Sequence, residues 1–303
     1  MLRRTLLASA GAMALTGAAV AADLGARPPP PVFLPPPPIF SWTGLYLGVN
    51  AGGTWSNSNT VDTTAVPVFA APTFETELAL SSALATTSVP VSNSGFIGGG
   101  QIGYKYQFNN SFVAGVEADL QGIAGSTQTG KVFGSGVPVN FPAETITSAV
   151  GANKRVDYIG TVRGRLGFLV TPTLLAYGTG GLAYGGVDSN VAIFQQNLPA
   201  GTDFGAPFSS FGNLSNSRVG WTAGGGLEWL FYPNWSLKVE YLYYDLGSPT
   251  FGLSPLINAF TDTGGAVYSS APFARPRFTG NIVRAGLNYH FNLLGPAPVV
   301  TKY

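Results

Sequence analysis

The sequence predicts an all-β chain: a transmembrane antiparallel up-and-down β-barrel of about eight strands, preceded by a signal peptide and a proline-rich linker. Three observations carry this expectation. About eight segments alternate apolar and polar side chains, as a strand does when successive residues point to opposite faces. The connections between them alternate between long and tight, and the N-terminus reads as an export signal. Mean hydropathy is positive, yet beyond the export signal no segment is apolar for the 18 or so residues a spanning helix requires. Only helices and closed barrels satisfy their backbone in lipid, so the apolar character points to strands.

The N-terminus runs Met1-Leu2-Arg3-Arg4 into a small, apolar stretch that ends Ala19-Val20-Ala21-Ala22-Asp23. This is the pattern of a secretory signal peptide over residues 1–21, cut after Ala21 or Ala22. Arg3-Arg4 resembles a twin-arginine signal, but a barrel crosses the inner membrane unfolded, which favours the general secretory route. Residues 22–40 hold Pro28 to Pro31 and Pro35 to Pro38. Proline fixes φ and favours an extended polyproline II spacer, here a periplasmic tether.

The barrel is expected over residues 41–291, with strand-like segments near 42–55, 95–108, 112–124, 154–169, 174–188, 218–231, 235–245 and 281–291. The second, fourth and sixth connections are tight turns: Asn109-Asn110-Ser111, Thr171-Pro172-Thr173 and Tyr232-Pro233-Asn234. The others, at about 56–94, 125–153, 189–217 and 247–280, are long and rich in Ser, Thr, Asn, Gly and Pro, and read as surface loops. Short periplasmic turns opposite long extracellular loops are the asymmetry of outer-membrane barrels. With both termini beside the short turns, the strand number is even.

Alternation is clearest where charges interrupt it. Trp235, Leu237, Val239, Tyr241 and Tyr243 oppose Ser236, Lys238 and Glu240, and Phe112, Ala114, Val116, Ala118 and Leu120 oppose Glu117, Asp119 and Gln121. A soluble sandwich would alternate too. The length of the segments, the large apolar and aromatic residues on one face, and the export signal favour lipid. Trp42, Phe108, Phe112, Phe168, Phe231, Trp235, Tyr289 and Phe291 fall at the short-turn ends, where an aromatic belt at the periplasmic interface belongs.

The inner face is expected to carry a balanced set: Lys105, Arg155, Arg163, Arg165, Lys238 and Arg284 against Glu117, Asp119, Asp157, Glu228 and Glu240, with His290 beside them. Such charges either line a selective pore or pair to fill the lumen. The interior of an eight-stranded barrel is just wide enough for side chains to fill, which favours pairing.

Other motifs carry less. Gly98-x-Gly100-x-x-Gly103 fits a dinucleotide fingerprint, but that fingerprint opens a helix, whereas strand-like residues here continue to Phe108. Glycines inside barrel strands leave room for large side chains opposite. His290 is the single histidine, so any Ser-His-acid site must use it. Cysteine is absent, which removes disulfides and thiolate chemistry. The long connections show no EF-hand spacing, and neither a metal site nor a cofactor is expected. About a tenth of the residues are charged and the net charge is +1, so no basic face exists for nucleic acid.

From Ala22-Asp23-Leu24 through the proline spacer to Trp42-Thr43-Gly44-Leu45-Tyr46-Leu47-Gly48, the chain resembles the outer-membrane immunogenic or porin-like proteins with an OmpA-type β-barrel. Further matching stretches are Gly98 to Tyr104, Val162 to Gly167, Tyr177 to Gly185, Gly224 to Glu228 and Val283 to Phe291. The resemblance touches nearly every strand and leaves the long connections unmatched. It implies a surface-exposed barrel of the cell outer membrane, structural and often described as porin-like, with no catalytic residues. Such barrels commonly end on the aromatic that closes the last strand. Here a tail at 292–303 follows Phe291, which bears on recognition by the barrel-assembly machinery.

The functional expectation is a non-catalytic barrel with a structural and surface role, its partners being outer-membrane lipids, the assembly machinery during insertion, and surface ligands that meet the long loops. The alternatives are a narrow passive porin for small solutes and, from another class, a barrel enzyme modifying lipid A.

Overall fold

A computed structural model describes residues 41–109, 111–198, 206–260 and 263–291, leaving aside the side chains of residues 126 and 127. The expected signal peptide (1–21), linker (22–40) and tail (292–303) lie outside the described residues. In chain order the elements are β1 (Gly44–Ser56), β2 (Thr60–Ala70), α1 (Glu75–Ala85), β3 (Thr87–Pro90), β4 (Asn93–Phe108), β5 (Phe112–Thr127) and β6 (Gly130–Gly136). There follow β7 (Thr145–Thr171), β8 (Leu174–Leu198), β9 (Phe208–Tyr232), β10 (Trp235–Asp245), β11 (Phe251–Gly252), β12 (Leu256–Ala259), β13 (Ala266–Pro276) and β14 (Thr279–Phe291).

Eight strands close into a ring in the order β1, β4, β5, β7, β8, β9, β10, β14 and back to β1. Every pair is antiparallel. Closure leaves the ring without a free edge, which is what an apolar surrounding demands of a sheet. Tight turns join β4 to β5, β7 to β8 and β9 to β10 at one end. Asn109 and Asn234 sit in two of them with φ of +56° and +66°, in the left-handed region that asparagine tolerates.

The burial pattern has the period of two throughout the ring. On β10, Ser236, Lys238, Glu240 and Leu242 are buried while Trp235, Leu237, Val239 and Tyr241 are exposed. The exposed set forms an apolar band around the outside. On β9, Trp229 and Trp221 mark its two margins. At ~3.4 Å per residue and ~40° tilt their separation corresponds to about 21 Å of height, close to the apolar band of outer-membrane barrels.

The long connections differ from the open loops expected at 56–94, 125–153, 189–217 and 247–280. β7, β8 and β9 continue past the ring, and β6 pairs with the extension of β7. A second sheet orders β11, β13, β2 and β3, with β12 also on β13. These strands and α1 enclose a core that includes Val61, Leu78, Val89, Val150, Ile193, Phe208 and Val267. The physical reason is that alternate residues of the extensions, such as Val150, Ala152, Val191 and Ile193, are apolar and need cover. The connections therefore fold into a cap.

The glycines of β4 serve a strand. A Cβ on Gly103 would lie 2.3 Å from Tyr46 Oη, whereas a Cβ on Gly122 of β5 meets nothing within 4 Å. Gly103→Val is expected to abolish the folded, heat-modifiable gel band and Gly122→Ala to leave it in place. Equal migration of both variants would contradict the packing described.

Candidate functional site

The most concentrated chemistry lies inside the ring. Lys105 of β4, Glu117 and Asp119 of β5, Arg163 and Arg165 of β7, Glu228 of β9, Lys238 and Glu240 of β10 and Arg284 of β14 share the lumen, each at most 5% exposed. Glu117 is the hub: it pairs with Arg163 at 2.5 Å, Arg165 at 2.9 Å and Lys238 at 2.9 Å. Arg284 bridges Glu240 at 2.5 Å and Asp119 at 2.8 Å, and Arg163 also reaches Asp119 and Glu240. Lys105 grips Glu228 at 2.6 Å and Arg165 approaches the same carboxylate at 3.3 Å. Five cations thus meet four carboxylates in a space closed to water.

Neutral side chains complete the network, and the charge pattern alone did not single them out. Tyr46 Oη donates to Glu117 at 2.7 Å and Tyr177 Oη to Glu240 at 3.0 Å. The Arg165 guanidinium lies 3.7 Å over the Tyr177 ring and Lys105 Nζ 4.4 Å over the Tyr46 ring. Gln101 links Asn50 to Asn288, which donates to Glu228 at 3.0 Å. The detectable signal was parity. Tyr46 and Asn50 alternate with Leu45, Leu47 and Val49, so they share the inner face of β1.

Apolar tiers lie on either side of the charges. At the tight-turn end Val113, Leu169, Leu175 and Leu230 pack with Trp42. Towards the cap, Ile97, Ile159, Leu242, Tyr244, Phe278 and Ile282 form another cluster. The ionic layer is therefore sealed above and below.

Two expectations need correction. Arg155 and Asp157 do not join the lumen network. Their side chains are 50% and 51% exposed and pair with each other at 3.1 Å on the outer face. A register shift in β7 between Val156 and Tyr158 reverses the alternation, so odd positions point inward below it and outward above it. Lys154 turns inward instead, where its ammonium donates to the carbonyls of Ser58, Thr60 and Arg277. Trp42 is likewise absent from the outer belt. It is 1% exposed, its indole donates to the Pro172 carbonyl at 3.1 Å, and it meets His290 edge to face at 5.7 Å. It shares the parity of Tyr46 and precedes the first strand, so it turns under the barrel as a floor.

The remaining aromatics at that end lie outside the wall. Phe108, Phe112, Phe168, Phe231 and Trp235 are exposed, and Tyr289 and Phe291 half-buried. Their rings touch in series, Phe108 to Phe112 to Phe168 and Trp235 to Tyr289 to Phe291, at 5.0–5.9 Å. Trp229 and Tyr232 extend this girdle. Trp55, Phe96, Tyr184 and Trp221 form a second one beneath the cap.

His290 meets Ser236 and Glu228, the residue types of a hydrolase triad. Its Nε2 lies 2.8 Å from Ser236 Oγ, but that hydroxyl donates to Glu228 Oε1 at 2.6 Å, and Glu228 faces the same ring nitrogen at 3.4 Å. In a triad the carboxylate orients the far nitrogen and leaves the hydroxyl to the near one. Here the hydroxyl is engaged with the acid and buried in the floor of the barrel. No group of three or more His, Cys, Asp or Glu side chains poised for a metal occurs among the described residues. On the outer face of the cap, Phe133, Phe194 and Phe211 wall a groove of about 590 Å³ over Ala149, Gly151 and Ala192.

Residues 8–291 match the family model described as outer membrane protein beta-barrel domain. The 31 kDa outer-membrane immunogenic proteins of Brucella melitensis biotype 1 and Brucella suis biovar 1 are each 34% identical over 293 residues, covering 96% of this chain and 100% of theirs. The outer membrane protein OprG of Pseudomonas aeruginosa aligns in structure over 82% of this chain and 97% of its own, at 9% identity and a TM-score of 0.36. The closed ring, its apolar outer band, the family model and the Brucella relatives lead to one conclusion: the chain belongs to the outer-membrane β-barrel protein family and resides in the outer membrane.

Proposed function

We propose that this protein is a sealed, non-catalytic barrel whose work is done by the folded cap it holds at the cell surface. The observation that carries the reading is the lumen: an ionic layer at most 5% exposed, closed by apolar tiers on both sides. A passive porin needs a continuous polar path, and these tiers interrupt it. That the Brucella relatives are immunogenic proteins supports the cap as the surface met from outside. Outer-membrane lipids would cover the apolar band between the two girdles. Phe291, paired with Leu45 to close the ring, would act from within the chain in recognition by the assembly machinery.

In planar bilayers the purified protein is expected to give no stepwise conductance above the lipid background, and regular steps would favour the narrow-porin reading. His290→Ala is expected to leave lipid A unchanged by mass spectrometry, and a lost modification would restore the enzyme reading. The lumen also sets a contrast in stability. Removing one partner of a buried charge cluster costs about 3–5 kcal/mol, because it strands the other charges, while a half-exposed pair contributes about 0–1 kcal/mol. Glu117→Gln is therefore expected to lower the temperature at which the gel band converts to its unfolded form far more than Arg155→Gln. Equal shifts would contradict the assignment of these residues to the inside and outside.

A further inference from the structure

Six buried polar atoms of the cap have no hydrogen-bond partner: Glu77 Oε1, Ser82 Oγ, Glu144 Oε2, Asn197 Nδ2, Asn258 Oδ1 and Ser270 Oγ. Buried polar groups are nearly always paired, and exceptions mark a missing water, ion or function. Glu77 is 0% exposed and Asn258 1%.

Several contacts draw four of these residues together, Glu77, Glu144, Asn197 and Asn258. Ser81 Oγ bonds Gln195 Oε1 at 2.5 Å and Gln195 Nε2 bonds the Ser81 carbonyl at 2.9 Å, which pins α1 to the inner face of β8. Glu77 stands one helical turn before Ser81, and Asn197 two residues after Gln195, so both continue along that contact. Tyr268 of β13 donates to Asn197 Oδ1 at 3.0 Å and accepts from Asn258 Nδ2 at 3.1 Å. The Asn197 amide lies near Glu144 but outside hydrogen-bond geometry. Glu77, Glu144, Asn197, Asn258 and Tyr268 thus form one polar island inside an apolar core.

The island has two acids and no base. Neither Glu77 nor Glu144 forms an ion pair among the described residues, and no Lys, Arg or His contributes to the electrostatics of either. Burial raises both carboxyls above their ordinary range, and the Glu77 charge raises Glu144 further. Thr76 Oγ1 donates to Glu77 Oε2 at 3.0 Å, but two buried carboxylates with no cation beside them still call for a counter-charge. Of the unpartnered atoms in the island, Glu77 Oε1, Glu144 Oε2 and Asn258 Oδ1 are oxygens, donors suited to a hard cation.

We propose that Glu77 and Glu144, together with the Asn258 side-chain carbonyl, bind a divalent cation of the calcium class that ties α1 to the β6–β7 connection and to β12. Two carboxylates and a few neutral oxygens make a weak site, of the kind extracellular modules use at ~10⁻⁴–10⁻³ M. Such a site fills outside the cell and locks the cap.

The test uses the full mature chain folded in detergent micelles, with terbium as a luminescent calcium surrogate excited through tyrosine, Tyr268 being part of the island. Saturable luminescence displaced by calcium chloride is expected, along with calcium-dependent protection of the cap from proteinase K. Glu77→Gln combined with Glu144→Gln is expected to weaken both responses at least about tenfold while keeping the heat-modifiable shift that reports the barrel. Glu75→Gln, on the exposed side of α1, should leave them intact. Luminescence that survives in the double variant would overturn the proposal. So would a wild-type cap that resists protease as well without calcium as with it, since shared protons would then suffice.

Discussion

The structure depends on charges from separate strands being neutralised by one another in a lumen that leaves each of them at most 5% exposed. Arg284 of β14 finds Asp119 on β5, Lys105 of β4 finds Glu228 on β9, and Glu117 gathers partners from β7 and β10. The shortest pairs all run between strands, although Lys238 also approaches Glu240 of its own strand at 3.6 Å. A one-residue slip in any of the six strands that carry these charges would send its charges to the outer face and its apolar residues inward. The ionic layer therefore fixes the register of those six strands, and the hydroxyls of Tyr46 and Tyr177 tie β1 and β8 to it. Net stabilisation over an apolar core is not required of such a network. Its effect is to penalise every alternative pairing, because a buried charge left alone costs several kcal/mol.

The same layer explains how one fold is made for two surroundings. Outside, Leu237, Val239 and Tyr241 meet a medium with no polar partners, and the closed ring spares them any unpaired backbone edge. Inside, Tyr46, Tyr177 and the glycines opposite them supply hydroxyls and space. Above the upper girdle the constraint changes, since water is available on the outer side. There the strands of β7, β8 and β9 stop facing lipid, and the cap adds its own apolar core and helix.

What the sequence made legible follows from how local each constraint is. Lys238 and Glu240, or Glu117 and Asp119, alternate with large apolar neighbours, and two-residue periodicity is a local signal. Trp42 followed the same rule through its parity with Tyr46, but its size and terminal position suggested a belt. Arg155 and Asp157 shared parity with Arg163 and Arg165, and nothing local marks the irregularity between Val156 and Tyr158 that reverses it. The cap was illegible for a different reason. Its core joins Val61 and α1, Val150 and Val267 from three separate connections, and each connection by itself has the polar and small-residue content of a loop. The acids Glu77 and Glu144 carry no spacing motif, because only the folded cap brings them to one island.

The central claim is that inner positions of the barrel are sealed while outer positions meet hydrocarbon. The chain has no cysteine, so single nitroxide labels can be placed along β10 at Ser236, Leu237, Val239, Tyr241 and Leu242 in lipid vesicles. Electron paramagnetic resonance is predicted to show high collision rates with oxygen at 237, 239 and 241, and low rates with both oxygen and a water-soluble nickel chelate at 236 and 242. Strong collisions with the chelate at 236 and 242 would mean an open, water-filled lumen and would contradict the account.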